Sequence, residues 1–205
     1  ERKADLRMLQ RFVRENKQAL LDAVSADYGH RSRHETLLAE IFPAIDGVNH
    51  TLKHLGGWMK PQKRAVDWRN FFGARKRVIP QPLGVVGVIV PWNFPIYLAL
   101  GPATAALAAG NRVMIKMPEV TPATNAVLKR LLGEVFTEEQ VAVVGGELLD
   151  PNAFTSLPFN HIVFTGSPAV GHHIMRAASQ NLTPVTLELG GKSPALVSAE
   201  GPLAA

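Results

Sequence analysis

Residues 85–90 read Val85-Val86-Gly87-Val88-Ile89-Val90, and all but the glycine are β-branched. A run this short, with no polar residue alternating through it, fits a strand buried on both faces of a sheet. Downstream, Pro91 and Pro95 punctuate the chain, and residues 96–109 are small, apolar and helix-like up to Gly110. Residues 112–116 read as a second strand. Thr121-Pro122 then reads as a helix start, with Thr as N-cap and Pro at the first helical position, and that helix is expected to reach about Phe136. Residues 141–144 form a strand closed by Gly145-Gly146, 161–165 another strand, 168–179 a helix, and 185–188 a strand that runs into Gly190-Gly191. Strand and helix alternate throughout, the signature of a parallel sheet wrapped by helices, an α/β Rossmann-like architecture.

Upstream the periodicity is helical. Leu6, Leu9, Phe12, Val13, Leu20, Leu21 and Val24 recur at three- and four-residue spacing, so residues 1–29 read as helix with Gly29 as its stop. A second helix is expected over 35–55, with Leu37, Leu38, Ile41, Ile45, Val48 and Leu52 on one stripe and Gly56-Gly57 ending it. Pro43 either kinks this helix or lies near its start. Residues 58–76 are polar, basic and aromatic, and read as a connector.

The chain has 205 residues, long enough for a real core, with 46% hydrophobic and 19% charged residues, an ordinary globular balance. The most apolar stretch, 84–109, is interrupted by Pro91, Asn93, Pro95, Gly101 and Pro102, so no membrane span is expected. The first nine residues are charged and amphipathic, unlike a signal peptide. The formal charge is +5, much of it within 60–77 (Lys63, Arg64, Arg69, Arg75 and Lys76 among others). Without an accompanying nucleic-acid signature this stretch reads as a solvated connector and no nucleic-acid partner is expected. The absence of cysteine excludes disulfides and thiolate metal sites within the chain, and fits a cytoplasmic protein. His30 and His34 are four apart with no third ligand evident, and His172-His173 point to different faces; both pairs read as surface residues and no metal is expected.

Four stretches carry chemistry. In Phe164-Thr165-Gly166-Ser167-Pro168-Ala169-Val170-Gly171 a strand gives way to a helix that Ser167 can cap and Pro168 can open. Free N–H groups at such a helix start suit a pyrophosphate, Gly166 permits close approach, and Gly171 permits close helix–strand packing. An ordinary capped turn has the same pattern. Lys116-Met117-Pro118-Glu119 ends a strand, where an acid can bind ribose hydroxyls and a lysine adds a donor; a surface charge pair is the alternative. The acid precedes the glycine turn, the reverse of the usual dinucleotide fingerprint. Pro91-Trp92-Asn93-Phe94-Pro95 places an asparagine amide, a neutral donor suited to an oxyanion, in a turn that proline alone would also explain. Leu187-Glu188-Leu189-Gly190-Gly191-Lys192 ends an apolar strand on a carboxylate, where burial would raise its pKa toward that of a general base; a solvated strand terminus is the alternative.

Together and in this order, the four stretches resemble the aldehyde dehydrogenase superfamily over essentially all of residues 1–198. Tyr28-Gly29-His30-Arg31-Ser32-Arg33-His34-Glu35-Thr36 and Leu182-Thr183-Pro184-Val185-Thr186 are similar to its coniferyl aldehyde dehydrogenase branch. The resemblance implies NAD(P)-dependent oxidation of an aldehyde, an aromatic one such as coniferyl aldehyde in view of the branch, to its acid. It implies that the Asn93 amide donates to the oxyanion of a cysteine thiohemiacetal and that Glu188 activates the water that hydrolyses the thioester. Lys116 and Glu119 would hold the adenosine ribose, Gly166, Ser167 and Gly171, with Phe164 beside them, would underlie the pyrophosphate, and Trp92 and Leu189 would line the nicotinamide region. A ribose-binding acid tends to repel an extra phosphate, so NAD is expected first, with NADP accepted in related branches. Met117-Pro118 departs from the Pro-Ser that many relatives have after the lysine, which is expected to alter the loop near the ribose.

The implied organisation is an incomplete aldehyde dehydrogenase fold. Residues 1–76 would be N-terminal helices and connector packed on the cofactor domain, 77–198 the NAD(P)-binding domain with an oligomerisation strand near 77–83, and 199–205 the start of the catalytic domain. The family's nucleophilic cysteine lies beyond the glutamate, so it is expected in a following segment. The full-length protein would act on a small-molecule aldehyde as a homodimer or homotetramer, and this chain alone would be inactive. Competing readings are a nucleotide-binding module without catalysis, an acyl-phosphate or acyl-thioester reductase with no need of a hydrolytic base, and a degenerate relative kept for interactions.

Overall fold

The structure, a computed structural model, describes residues 1–146, 151–194 and 196. The segment 199–205, expected to open a further domain, lies outside the described residues.

The five strands expected between residues 85 and 188 are all found. β3 (Val85–Ile89), β4 (Arg112–Lys116), β5 (Val141–Val144), β6 (His161–Gly166) and β7 (Val185–Leu189) form one sheet in the order β5-β4-β3-β6-β7. Every neighbouring pair is parallel, with Val88 opposite both Ile115 and Val163. β3 is central, and its side chains are buried or half-buried along its length, as a continuous apolar run requires. The helices α5 (Pro95–Ala109), α6 (Pro122–Gly133), α7 (Pro151–Thr155) and α8 (Pro168–Ser179) make the connections. The chain runs outward from β3 through β4 to β5, then returns across the sheet to β6. The order therefore reverses between β3 and β6, and the carboxyl ends of those two strands flank a crevice where doubly wound sheets take ligands.

The N-terminal half departs from expectation in three places. The helix expected over 1–29 is two helices, α1 (Arg2–Glu15) and α2 (Lys17–Tyr28), parted at Asn16. The Asn16 side chain bonds the Phe12 carbonyl at 3.0 Å, an asparagine competing with the backbone ladder. The second helical run begins as α3 (Arg33–Thr36), widens into a π turn (Leu37–Ile41) and continues as α4 (Phe42–Trp58). Pro43 stands at the start of α4, directly after the π turn, where its missing N–H leaves no broken bond. The connector is partly folded: β1 (Gln62–Arg64) and β2 (Lys76–Val78) pair antiparallel as an exposed ribbon. The strand expected near 77–83 covers only Lys76–Val78, because Pro80 and Pro82 withhold ladder donors. Helix α6 likewise stops at Gly133 rather than near Phe136.

One hydrophobic cluster joins Leu6, Leu9, Phe12, Leu20 and Val48 of the N-terminal helices to Val86, Val88, Ile115 and Leu128 of the sheet layer. Helices α5 and α6 lie against β3, β4 and β5, and the N-terminal helices pack over them as a further layer, α1 and α4 on α5 and α2 on α6. A second cluster, Phe154, Phe159, Ile162, Phe164, Ile174 and Ala178, fills the space beneath α8.

Candidate active site

A cleft of about 840 Å³ opens at the strand-order reversal. Pro91, Trp92 and Asn93 enter it from the end of β3, Thr165, Gly166 and Ser167 from β6, and Glu188, Leu189 and Gly190 from β7. Ala44, Gly47 and Thr51 of α4 and Tyr97, Gly101 and Thr104 of α5 form the opposite wall. Trp92, Asn93, Gly166, Ser167, Glu188 and Leu189, scattered over nearly a hundred residues of sequence, therefore share one cavity.

The helix start after β6 is capped and packed as its sequence suggests. Ser167 accepts a hydrogen bond from the Val170 N–H at 3.3 Å and caps α8, with Pro168 opening the helix. A Cβ on Gly171 would stand 3.1 Å from Leu189 Cδ2, so the missing side chain lets α8 lie against β7. On Gly166 a Cβ would overlap the Phe164 ring. Phe164 itself is buried on the α8 side of the sheet and is not brought into the cleft. Gly171 is also buried, under Leu189.

Lys116 and Glu119 stand apart from this group. Lys116 Nζ meets Glu119 Oε1 at 2.5 Å, the lysine almost buried and the glutamate half exposed. The hydrogen bond from Lys116 holds the Glu119 carboxyl below the ordinary carboxylate range. Glu119 lines a smaller cleft of about 490 Å³ with Asn125, Gly145 and Gly146, at the ends of β4 and β5. Met117 is fully buried, and the Pro118 carbonyl accepts from Asn125 Nδ2 at 2.7 Å, so the loop carrying Glu119 is pinned to α6.

Two expectations about local chemistry do not hold. Glu188 is exposed rather than buried: it stands at the end of β7, the last strand in the order among the described residues, where it lines the open cleft. Among the described residues its carboxylate has no hydrogen-bond or ion-pair partner. Thr121 does not cap α6: its hydroxyl turns to the Pro118 carbonyl and to Asn125 Oδ1. Asp27 of α2 supplies the cap, accepting from Ala123 and Thr124 N–H at 2.9 and 2.8 Å.

A second imported cap lies beneath Asn93. Helix α5 starts from Phe94, which has no side-chain acceptor, so its first N–H groups need one from elsewhere. The fully buried Glu40, at the π turn, takes Ile96 N–H at 2.6 Å and Tyr97 N–H at 3.2 Å on one oxygen. Burial pushes this carboxyl above its ordinary range, opposed by those two donors and by Arg31. Arg31 Nη1 lies 3.7 Å from the other Glu40 oxygen and donates at 2.5 Å to the Asn93 carbonyl. The guanidinium lies over the Tyr28 and Phe94 rings, 5.0 and 4.6 Å from their centroids. Asn93 itself is exposed and lines the cleft. Glu40 is not among the site residues expected above, although an acid on the apolar stripe of Leu37, Ile41, Ala44 and Val48 signals a buried carboxylate that must find partners.

The fit to a dinucleotide rests on these features: a capped helix start, a glycine turn where side chains have no room, and an acid–lysine pair at a neighbouring strand end. Among the described residues no helix is long and apolar enough to cross a membrane. The model of the aldehyde dehydrogenase family matches residues 1–205. A probable coniferyl aldehyde dehydrogenase of Pseudomonas aeruginosa is 56% identical over 198 residues, covering 97% of this chain and 41% of that protein. The substrate-bound state of Staphylococcus aureus AldH superposes with a TM-score of 0.89 at 34% identity, over 94% of this chain and 42% of that one. A Mycobacterium tuberculosis aldehyde dehydrogenase complexed with NAD+ gives 0.82 at 31% identity, over 94% and 39%. The chain spans about two fifths of the length of these relatives, and its fold is that part of theirs. With the sheet, the crevice and the likenesses in agreement, the chain belongs to the aldehyde dehydrogenase family.

Proposed function

We propose that the full-length protein oxidises an aldehyde to its carboxylic acid with NAD, and that this chain supplies the cofactor site, the oxyanion donor and the hydrolytic base. The observation that carries the reading is the single cleft shared by Asn93, Glu188 and the Ser167-capped turn. The Asn93 amide donates to the oxygen of the aldehyde carbon as negative charge develops on it, and needs no reorganisation to do so. Glu188, unpaired among the described residues, takes a proton from the water that releases the acid. Ser167 and the start of α8 receive the pyrophosphate, and Lys116 with Glu119 binds the adenosine ribose. When bound, NAD supplies the hydride acceptor. The chain contains no cysteine, so the thiolate that attacks the aldehyde comes from outside these 205 residues.

The likeness to coniferyl aldehyde dehydrogenases supports an aromatic aldehyde as substrate, and the Glu119 carboxylate supports NAD over NADP, since its charge opposes a ribose phosphate. A homodimer or homotetramer and a cytoplasmic location belong to the same reading. The test is turnover of the full-length protein with coniferyl aldehyde and a panel of other aldehydes, followed as NADH formation. Asn93→Ala should lower kcat by roughly 100- to 1000-fold. Absence of turnover with every aldehyde overturns the reading, and NAD binding that persists in that case identifies a nucleotide-binding module.

A further inference from the structure

The loop that carries Asn93 is poorly equipped to hold its own shape. Pro91 and Pro95 lack N–H donors, and Phe94 offers no cap to the helix that follows. What fixes the loop comes from the N-terminal helices, and it grips the loop at two points. Glu40, with no exposed surface, anchors the first turn of α5 at Ile96 and Tyr97. Arg31, itself nearly buried, anchors the Asn93 carbonyl, the backbone group of a residue that lines the cleft. The guanidinium has little freedom: it lies over the Tyr28 and Phe94 rings, 5.0 and 4.6 Å from their centroids, with Glu35 and Glu40 at 3.4 and 3.7 Å.

We propose that Arg31 and Glu40 are positioning residues for the oxyanion donor, with Arg31 fixing the Asn93 peptide and Glu40 fixing both Arg31 and the helix start behind it. This rests on the reading of Asn93 given above. An amide donor contributes to catalysis through where it points, and a displacement of about 1 Å at a reacting centre can lower the rate on the order of 100-fold. Lysine at position 31 keeps a charge for Glu40, but a flexible ammonium cannot hold the position over the rings and reach the Asn93 carbonyl together. Glutamine at position 40 keeps an acceptor for the two N–H groups and loses the charge that holds Arg31.

The experiment uses the full-length protein with NAD and an aldehyde it turns over. kcat, the KM for NAD and the melting temperature are measured for Arg31→Lys, Glu40→Gln, Asn93→Ala and the double variant Arg31→Lys/Asn93→Ala. Arg31→Lys is expected to lower kcat on the order of 10- to 100-fold with the KM for NAD little changed, and Glu40→Gln to lower it less. In the Asn93→Ala background the Arg31→Lys effect should shrink to within about twofold, because the donor being positioned is gone; a merely structural role would multiply through unchanged. If Asn93→Ala impairs turnover while Arg31→Lys does not, or its effect is undiminished in the double variant, the positioning proposal is wrong and the oxyanion reading stands. If Asn93→Ala leaves kcat unchanged, the oxyanion reading fails and takes this proposal with it.

Discussion

The two ends of the cleft are built in opposite ways. The β3 end carries Asn93 on a loop clamped by a guanidinium held near two aromatic rings and by a buried carboxylate that caps the helix behind it. The β7 end carries Glu188 at the end of its strand, exposed and unpaired among the described residues, followed by Gly190 and Gly191, around which an added Cβ would meet nothing within 4 Å. The difference fits the chemistry assigned to each. A hydrogen-bond donor for a developing oxyanion works by being fixed in advance, whereas a base that must meet a water needs room and access.

The contrast can be broken most decisively at Glu40. Replacing it by alanine in the full-length protein strands the Ile96 and Tyr97 N–H groups and leaves Arg31 without its buried partner. The expected loss is about 3–5 kcal/mol of unfolding free energy, read by chemical denaturation. A loss below about 1 kcal/mol would mean that the β3 end is no more firmly held than the β7 end. The Lys116–Glu119 pair should fall between the two. Because Lys116 holds the Glu119 carboxyl below its ordinary range, the pair's contribution is present above that range and fades as pH falls through the lowered value. With Glu119 half exposed, it should amount to no more than about 1 kcal/mol. Carboxyl-carbon NMR of Glu119 should show the acid-shifted titration return to the ordinary range in Lys116→Met. The smallest effect belongs to Glu188→Gln, which should change stability by less than about 0.5 kcal/mol while impairing acid release. A larger loss would show that the β7 end has structural partners after all.

What was legible in the sequence follows the range of the forces involved. β3, β4, β6 and the Ser167–Pro168 helix start were readable because each depends on residues within a few positions: a β-branched run, or a hydroxyl three residues before the N–H it takes. The four chemical stretches were likewise placed at the strand ends where the sheet carries them. The burial expected of Glu188 failed because exposure depends on what packs over the strand end, and nothing in Leu187-Glu188-Leu189 says that this end opens on a cleft. The caps of α5 and α6 escaped notice because their acceptors, Glu40 and Asp27, lie 56 and 96 residues from the first N–H groups they take. Thr121-Pro122 has the local pattern of a capped start, and a carboxylate accepting two N–H groups from another helix displaced it. The β1–β2 ribbon was hidden for a different reason: its pairing residues are mostly Lys, Arg and Gln, without the β-branched pattern that marks a strand.

The two borrowed caps limit how this fold can be recombined. A chimera that kept residues 77–198 and took its N-terminal layer from another enzyme would lose acceptors at the starts of both α5 and α6, however well the apolar surfaces matched. Compatibility of a donor layer would hinge on two carboxylates, one at the position of Asp27 and one at that of Glu40. A library of such grafts screened for folded protein should retain acids at those two positions more stringently than any particular side chains on the hydrophobic stripes around them.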